Sequence, residues 1–120
     1  MISIVPQMKI FLAYASVDFR KGIDGLVAVC RQQLLQDPVR GALFLFRNRR
    51  GTAIKLLCYD GQGYWMMMKR FSTGRIQWWP KSMGEPLTQL AAKQLQIILY
   101  NGNPDAAQLA EDWRQLPHYQ

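Results

Sequence analysis

The sequence predicts an α+β fold: an antiparallel β-meander of four to five strands packed with two or three helices. Three observations predict it. Four short β-like runs follow one another between residues 43 and 79, joined by short connections that each carry glycine, as antiparallel hairpins require. Before them, Ile23, Leu26, Val27, Cys30 and Leu34 make one apolar stripe at helical spacing. After them, Leu95, Ile98 and Leu99 share one face of a second helical stretch.

In chain order, Met8–Ala13 ("MKIFLA") reads as the first strand. Ser16 or Asp18 is placed to cap the first helix, and Asp37-Pro38 to end it. Gly22 and Gly25 each cost about 1 kcal/mol against alanine inside a helix, so the regular helix is expected to start only after them. The meander runs are Leu43–Arg47, Ala53–Tyr59, Tyr64–Phe71 and Arg75–Trp79. In the second run Ile54, Leu56 and Cys58 face one way, and Ala53, Lys55, Leu57 and Tyr59 the other. Neither set is fully polar, so both sheet faces are expected to be at least partly covered. Met66, Met67 and Met68 suit core or interface packing. Beyond Pro80, Pro86–Leu90 reads as a short extended piece and Ala91–Tyr100 as a helix stopped by Asn101-Gly102. Asn103-Pro104-Asp105 then looks like a fresh helix start. The helix it opens would run to about Gln115, burying Leu109 and Trp113.

A length of 120 residues with 49% hydrophobic and 12% aromatic side chains fits one folded domain, residues 1–120, with 103–120 as a helical C-terminal extension. No apolar run approaches the roughly 20 residues that span a bilayer, and the N-terminus lacks the basic start of a secretory signal. A cytoplasmic location is the expectation. Cys30 and Cys58 each sit in an apolar segment and read as buried thiols. No cofactor and no metal site are expected: the one histidine, His118, sits in the last three residues, and there is no CxxC pair.

Charge is the informative property. The chain carries +7 at neutral pH, with a pI near 9.8. Residues 1–81 hold 13 basic and four acidic side chains, whereas residues 82–120 hold two and four. A basic body of this kind points to an acidic partner, nucleic acid above all. No catalytic set assembles: no DxD or ExxE pair falls on a convincing element, and "DGQG" (60–63) lacks the lysine and helix of a phosphate loop. "GIDG" (22–25) has the spacing of a nucleotide-clamping GXXG loop, but Asp24 would face the phosphates, and tight helix–sheet packing accounts for it better. "RGALFLF" (40–46) lacks two of the aromatics of an RNA-binding strand and reads as an ordinary buried strand.

The candidate nucleic-acid-binding set is Arg20, Lys21, Arg47, Arg49, Arg50, Lys55, Lys69, Arg70 and Arg75. In a meander the 48–51 tip and the 72–74 turn lie at one end of the sheet. That register gathers Arg47, Arg49, Arg50, Lys69, Arg70 and Arg75 on one rim. Arginine suits bidentate phosphate contacts, and Trp78 and Trp79 offer stacking or an apolar anchor.

"DFRKGIDGL" (18–26), "LFLFRNRRGTAIKLLCYDGQG" (43–63), "KRF" (69–71) followed by Gly74-Arg75, and "WP" (79–80) closely resemble the TnpB accessory proteins of IS66-type insertion sequences. The similarity runs from about Met8 to Leu99. It implies a non-enzymatic factor that assists transposition beside a separate, larger transposase encoded by the same element. No residue role carries over from the family. Two readings of the basic rim result: contact with DNA phosphates, or docking on an acidic surface of the transposase without DNA. A nuclease is the least supported, since no carboxylate cluster with metal-site spacing is visible.

Overall fold

The computed structural model describes residues 8–103. Strand β1 is Ile10–Ala13, helix α1 Ile23–Gln32, β2 Leu43–Arg47, β3 Ala53–Tyr59, β4 Tyr64–Arg70, β5 Leu87–Leu90 and α2 Ala92–Leu99, with a 3₁₀ turn at Pro38–Arg40. They form one five-stranded sheet in the order β4-β3-β2-β1-β5.

The α+β class stands, but the sheet is mixed rather than a purely antiparallel meander. β2, β3 and β4 are antiparallel neighbours, as their glycine turns dictate. β1, however, pairs parallel with β2, Ile10 opposite Leu43 and Leu12 opposite Leu45. A parallel pair needs a crossover of a dozen or more residues, and α1 with its flanking loops supplies it. β5 closes the other side, antiparallel to β1.

The run Arg75–Trp79 is not a strand. Its backbone leaves β4 and crosses the sheet, so that Ile76, Trp78 and Trp79 pack on the core of one face. β4 is therefore the sheet edge, and its Trp65, Met67 and Met68 remain exposed.

Both faces of the central strands are dry. On the first, Phe11, Phe44, Phe46 and Leu57 meet Leu26, Val27 and Cys30 of α1, with the Phe11 and Phe44 rings 5.6 Å apart. On the second, Leu12, Leu43, Leu45, Ile54 and Cys58 meet Leu95 and Ile98 of α2. The two-sided alternation of β3 is thus matched by two covering layers.

Helix α1 starts at Ile23, so Gly25 lies inside it, and Gly22 is the N-cap with no side-chain hydrogen bond. Neither Ser16 nor Asp18 caps it. A Cβ at Gly25 would sit 2.9 Å from the Lys21 Cβ, so glycine makes room for the Lys21 side chain rather than for the sheet. The helix ends before Asp37-Pro38. Leu35 takes a left-handed φ of 56°, the Gln36 N–H returns to the Cys30 carbonyl, and the Asp37 carboxylate caps the 3₁₀ turn through Val39 N. Leu34 stays buried on the core. In α2, Asn101 takes the left-handed position (φ 59°) and Gly102 N–H bonds the Ile97 carbonyl, the expected stop. The helix expected from Asn103-Pro104-Asp105 to Gln115 lies outside the described residues. No helix among them is long and apolar enough to cross a membrane.

Among the described residues Lys55 is the one charged side chain in the core, only 5% exposed. It points from β3 to the α1 face, where its ammonium donates to the carbonyls of Phe19 (2.8 Å) and Lys21 (2.9 Å) and lies 4.9 Å from the centre of the Phe19 ring. It pins the loop before α1 to the sheet. Lys55→Met retains the stem and leaves two carbonyls without their donor. It is expected to lower the unfolding free energy by about 2–3 kcal/mol, read from urea denaturation; an unchanged stability would contradict the role.

The cysteines are free and buried in separate cores on opposite faces, so they do not pair. Burial pushes the Cys30 thiol up to about 12 and raises that of Cys58 as well. The reactive thiolate is therefore scarce at pH 8. Ellman's reagent at that pH is expected to label neither thiol in the native protein and both in denaturant; prompt native labelling would show that the cores are open.

Candidate nucleic-acid interface

The β2–β3 connection is built by Asn48. Its Oδ1 accepts from Thr52 N (2.8 Å) and Ala53 N (3.1 Å), and its Nδ2 donates to Thr52 Oγ1 (2.8 Å). Gly51, at φ 70°, takes the left-handed conformation that turns the chain back. Arg49 and Arg50 stand at the apex of this braced loop, both exposed. Asn48 was not among the expected functional residues, although an asparagine that opens a turn is a known signal of this bonding.

Two segments close on the same tip. Val17 N–H bonds the Arg47 carbonyl (3.0 Å), bringing the Tyr14–Lys21 loop alongside, and Ser16–Phe19 with Asn48–Arg50 line a shallow depression of about 410 Å³. From the other side, Phe71 N–H bonds Thr52 O (3.0 Å) and Ile76 N–H bonds Gly51 O (2.7 Å), setting Arg75 beside the turn. Asn101 fixes this second segment, donating to Arg75 O and accepting from Gln77 N. The register places Arg70 opposite Ala53, at the same end.

The nine expected cations fall into two groups. Arg20, Lys21, Arg49, Arg50, Arg70 and Arg75 are exposed near this end. Lys55 is buried under α1, as described. Lys69, also exposed, donates to the Leu99 carbonyl at the C-terminal end of α2, its ammonium over the rings of Phe71 (5.4 Å) and Tyr100 (5.6 Å). A cation at that helix end complements the dipole. Arg47 is half-buried and turns inward, its Nη2 donating to the Tyr14 carbonyl (3.2 Å). The rim thus contains Arg49, Arg50, Arg70 and Arg75, joined by Arg20 and Lys21, whereas three expected cations hold the fold.

One carboxylate stands among the exposed cations. Arg20 clasps Asp18 through Nε (3.0 Å to Oδ2) and Nη2 (2.7 Å), and donates its backbone N–H to Oδ1 (2.9 Å). These hydrogen bonds from Arg20 lower the Asp18 carboxyl to about 2, so it stays ionised at neutral pH. Trp78 and Trp79 are half-buried on the α2-side core, and Trp79 Nε1 donates to Ala13 O (3.0 Å). Trp79 is an apolar anchor within the molecule.

Three comparisons bear on this arrangement. A protein of Sinorhizobium fredii (strain NBRC 101917 / NGR234) named "Uncharacterized protein y4hO" is 31% identical over 108 residues, covering 90% of each chain. A second from that strain, "Uncharacterized protein y4jC", is 36% identical over 69 residues, 58% of this chain and 59% of its own. No solved structure matches the chain. The family model described as "IS66 Orf2 like protein", TnpB of IS66, matches residues 8–108, which takes in every element described above, and the chain belongs to that family of transposition-associated accessory proteins.

Proposed function

We propose that this protein is a non-catalytic accessory factor that contacts DNA phosphates through its exposed cations while assisting the transposase of its element. The observation that carries the reading is the braced apex at Arg49 and Arg50. These are exposed guanidinium groups with no carboxylate partner among the described residues, on a loop that Asn48 has already ordered. A preordered loop loses little entropy on contact. Lys21, Arg70 and Arg75 extend the positive field around it. Such contacts position a duplex without reading its bases, so binding is weakly sequence-specific and falls steeply with salt.

A second reading is favoured by one observation. Asp18 keeps a negative charge amid the cations, and a mixed-sign patch suits a mixed-sign protein surface better than a uniformly negative duplex. In that reading the rim docks on an acidic surface of the transposase that also offers a cation to Asp18, without DNA. Co-purification with the transposase after nuclease treatment, together with no DNA binding alone, would select it.

The DNA reading is tested by fluorescence anisotropy with duplex from the ends of the element across a salt series. Arg49→Gln/Arg50→Gln is expected to weaken binding at every sequence and to reduce the log–log salt slope by about 2, with thermal stability unchanged. Absence of wild-type binding at low salt, or an unaltered double variant, would sink it. Asn48→Ala leaves both arginines in place but unties the loop. It is expected to weaken the same binding by about threefold to tenfold through the ordering cost; full affinity would show that the bracing is irrelevant to contact.

A further inference from the structure

The two edges of the sheet are built differently. β5 ends one side with four residues, and Pro86 immediately precedes it. A short edge flanked by proline is an ordinary guard against pairing with another chain. β4, on the other side, has no such guard. It runs seven residues in unbroken register with β3 and contains neither proline nor bulge. Trp65, Met67 and Met68 stand exposed along it.

The ladder fixes which backbone groups of β4 are open. At one end the Asp60 N–H bonds the Gly63 carbonyl, and at the other the Phe71 N–H bonds the Thr52 carbonyl. Hydrogen-bonded pairs alternate in an antiparallel ladder. Trp65, Met67 and Lys69 therefore spend their N–H and C=O groups on β3, and Tyr64, Met66, Met68 and Arg70 direct theirs outward. The strand reads Tyr-Trp-Met-Met-Met-Lys-Arg, with aromatics at one end and cations at the other.

We propose that two copies of this chain pair β4 to β4, antiparallel, about a twofold axis at Met67. That register matches Tyr64 to Arg70 and Met66 to Met68, the outward-facing residues, so every open backbone group of the strand finds a partner. It sets Trp65 opposite Lys69, and Met67 opposite its own copy, at the closely spaced positions between those bonds. Each long cationic side chain then lies on an aromatic ring. Lys69 offers its stem to Trp65 while its ammonium stays on the Leu99 carbonyl. Arg70 lies beside Tyr64 with its guanidinium open to solvent. A parallel pairing in register would instead set each cation beside its own copy. A slip of one residue would turn open groups toward spent ones. Charge agrees with the antiparallel choice. Hydrogen bonds from Gln62 N, Trp65 Nε1 and Gly63 N hold the Asp60 carboxyl below the usual carboxylate range, at the end where the second copy's cations arrive. A foreign strand would have to carry this order in reverse, and a second copy does so by symmetry. Arg49 and Arg50 take no part, so the pairing is independent of the DNA reading. The antiparallel axis carries the two cationic ends to opposite sides of the pair.

Sedimentation velocity of the full-length protein over a dilution series, with hydrogen exchange of the β4 amides, tests the pairing. A dimer is expected, with a dissociation constant on the order of 1–10 µM. The amides of Tyr64, Met66, Met68 and Arg70 are expected to be protected in the dimer and to lose protection on dilution. Those of Trp65, Met67 and Lys69 are expected to stay protected throughout. Met67→Lys and Met67→Asp are each expected to be monomeric with the circular dichroism of the wild type, because like charges meet on the axis. Mixing the two variants is expected to restore a dimer. Met67→Cys is expected to form a disulfide-linked dimer on mild oxidation, since closely spaced antiparallel positions lie within disulfide reach and the native thiols are buried. Met83→Cys, 89% exposed at its position, is expected to remain monomeric under the same treatment. Arg49→Gln/Arg50→Gln is expected to leave the dimer intact, so failure here and failure on DNA are read separately. A chain that stays monomeric at about 100 µM overturns the proposal. So does a dimer that survives both charge variants, a mixture of them that stays monomeric, or loss of the dimer in the Arg49/Arg50 variant. Protection of the outward amides that persists on dilution would make another part of the same chain the occupant of the edge, and would overturn the assignment to a second copy.

Discussion

Both faces of β1, β2 and β3 exclude water, and the rest of the molecule is arranged around that constraint. A sheet buried on two sides needs two covers. Helix α1 supplies one; α2, helped by Ile76, Trp78 and Trp79, supplies the other. The same demand explains why the chain crosses over between β1 and β2, since the crossover is the first cover. It also explains why the aromatic run after β4 lies across the sheet instead of extending it. With both faces occupied, exposed charge has to sit at strand ends, turns and the edge. The β2–β3 tip, where neither helix lies, is one such end.

Charge near that end divides by what each cation can reach. Lys55 finds two carbonyls at 2.8 and 2.9 Å and is absorbed into the α1 layer. Lys69 reaches the carbonyl end of α2. Arg47 turns inward to the Tyr14 carbonyl. What remains exposed is held in position by neutral groups: Asn48 shapes the tip, and Asn101 fixes the backbone around Arg75. The result is a preordered cationic end.

Much of this was legible in the sequence. The bounds of β2 and β3 follow from alternation closed by Asn48–Gly51 and Asp60–Gly63, and α2 stops where Asn101-Gly102 says it should. The parallel pairing was less legible, because the two hairpin turns speak locally and a crossover has no turn to announce it. Arg75–Trp79 has strand composition, yet whether such a run joins an edge or covers a face depends on which face lacks a cover. The fate of the cations had a signal. Period-two alternation sets Lys55 in line with Leu57, and Arg47 in line with Leu43 and Leu45, on faces already expected to be covered. A cation in line with core residues is buried or half-buried, and must find acceptors there.

The central claim is that these cations form two classes, one that holds the fold and one that is free to bind. A charge-neutralising scan of all nine, with unfolding free energy and DNA affinity measured on every variant, tests it most directly. The account predicts separation. Lys55 and Lys69 variants lose stability, while Arg49, Arg50, Arg70 and Arg75 variants lose DNA affinity at unchanged stability. A scan in which affinity falls only where stability falls, or in which Lys55 proves dispensable to folding, would contradict it.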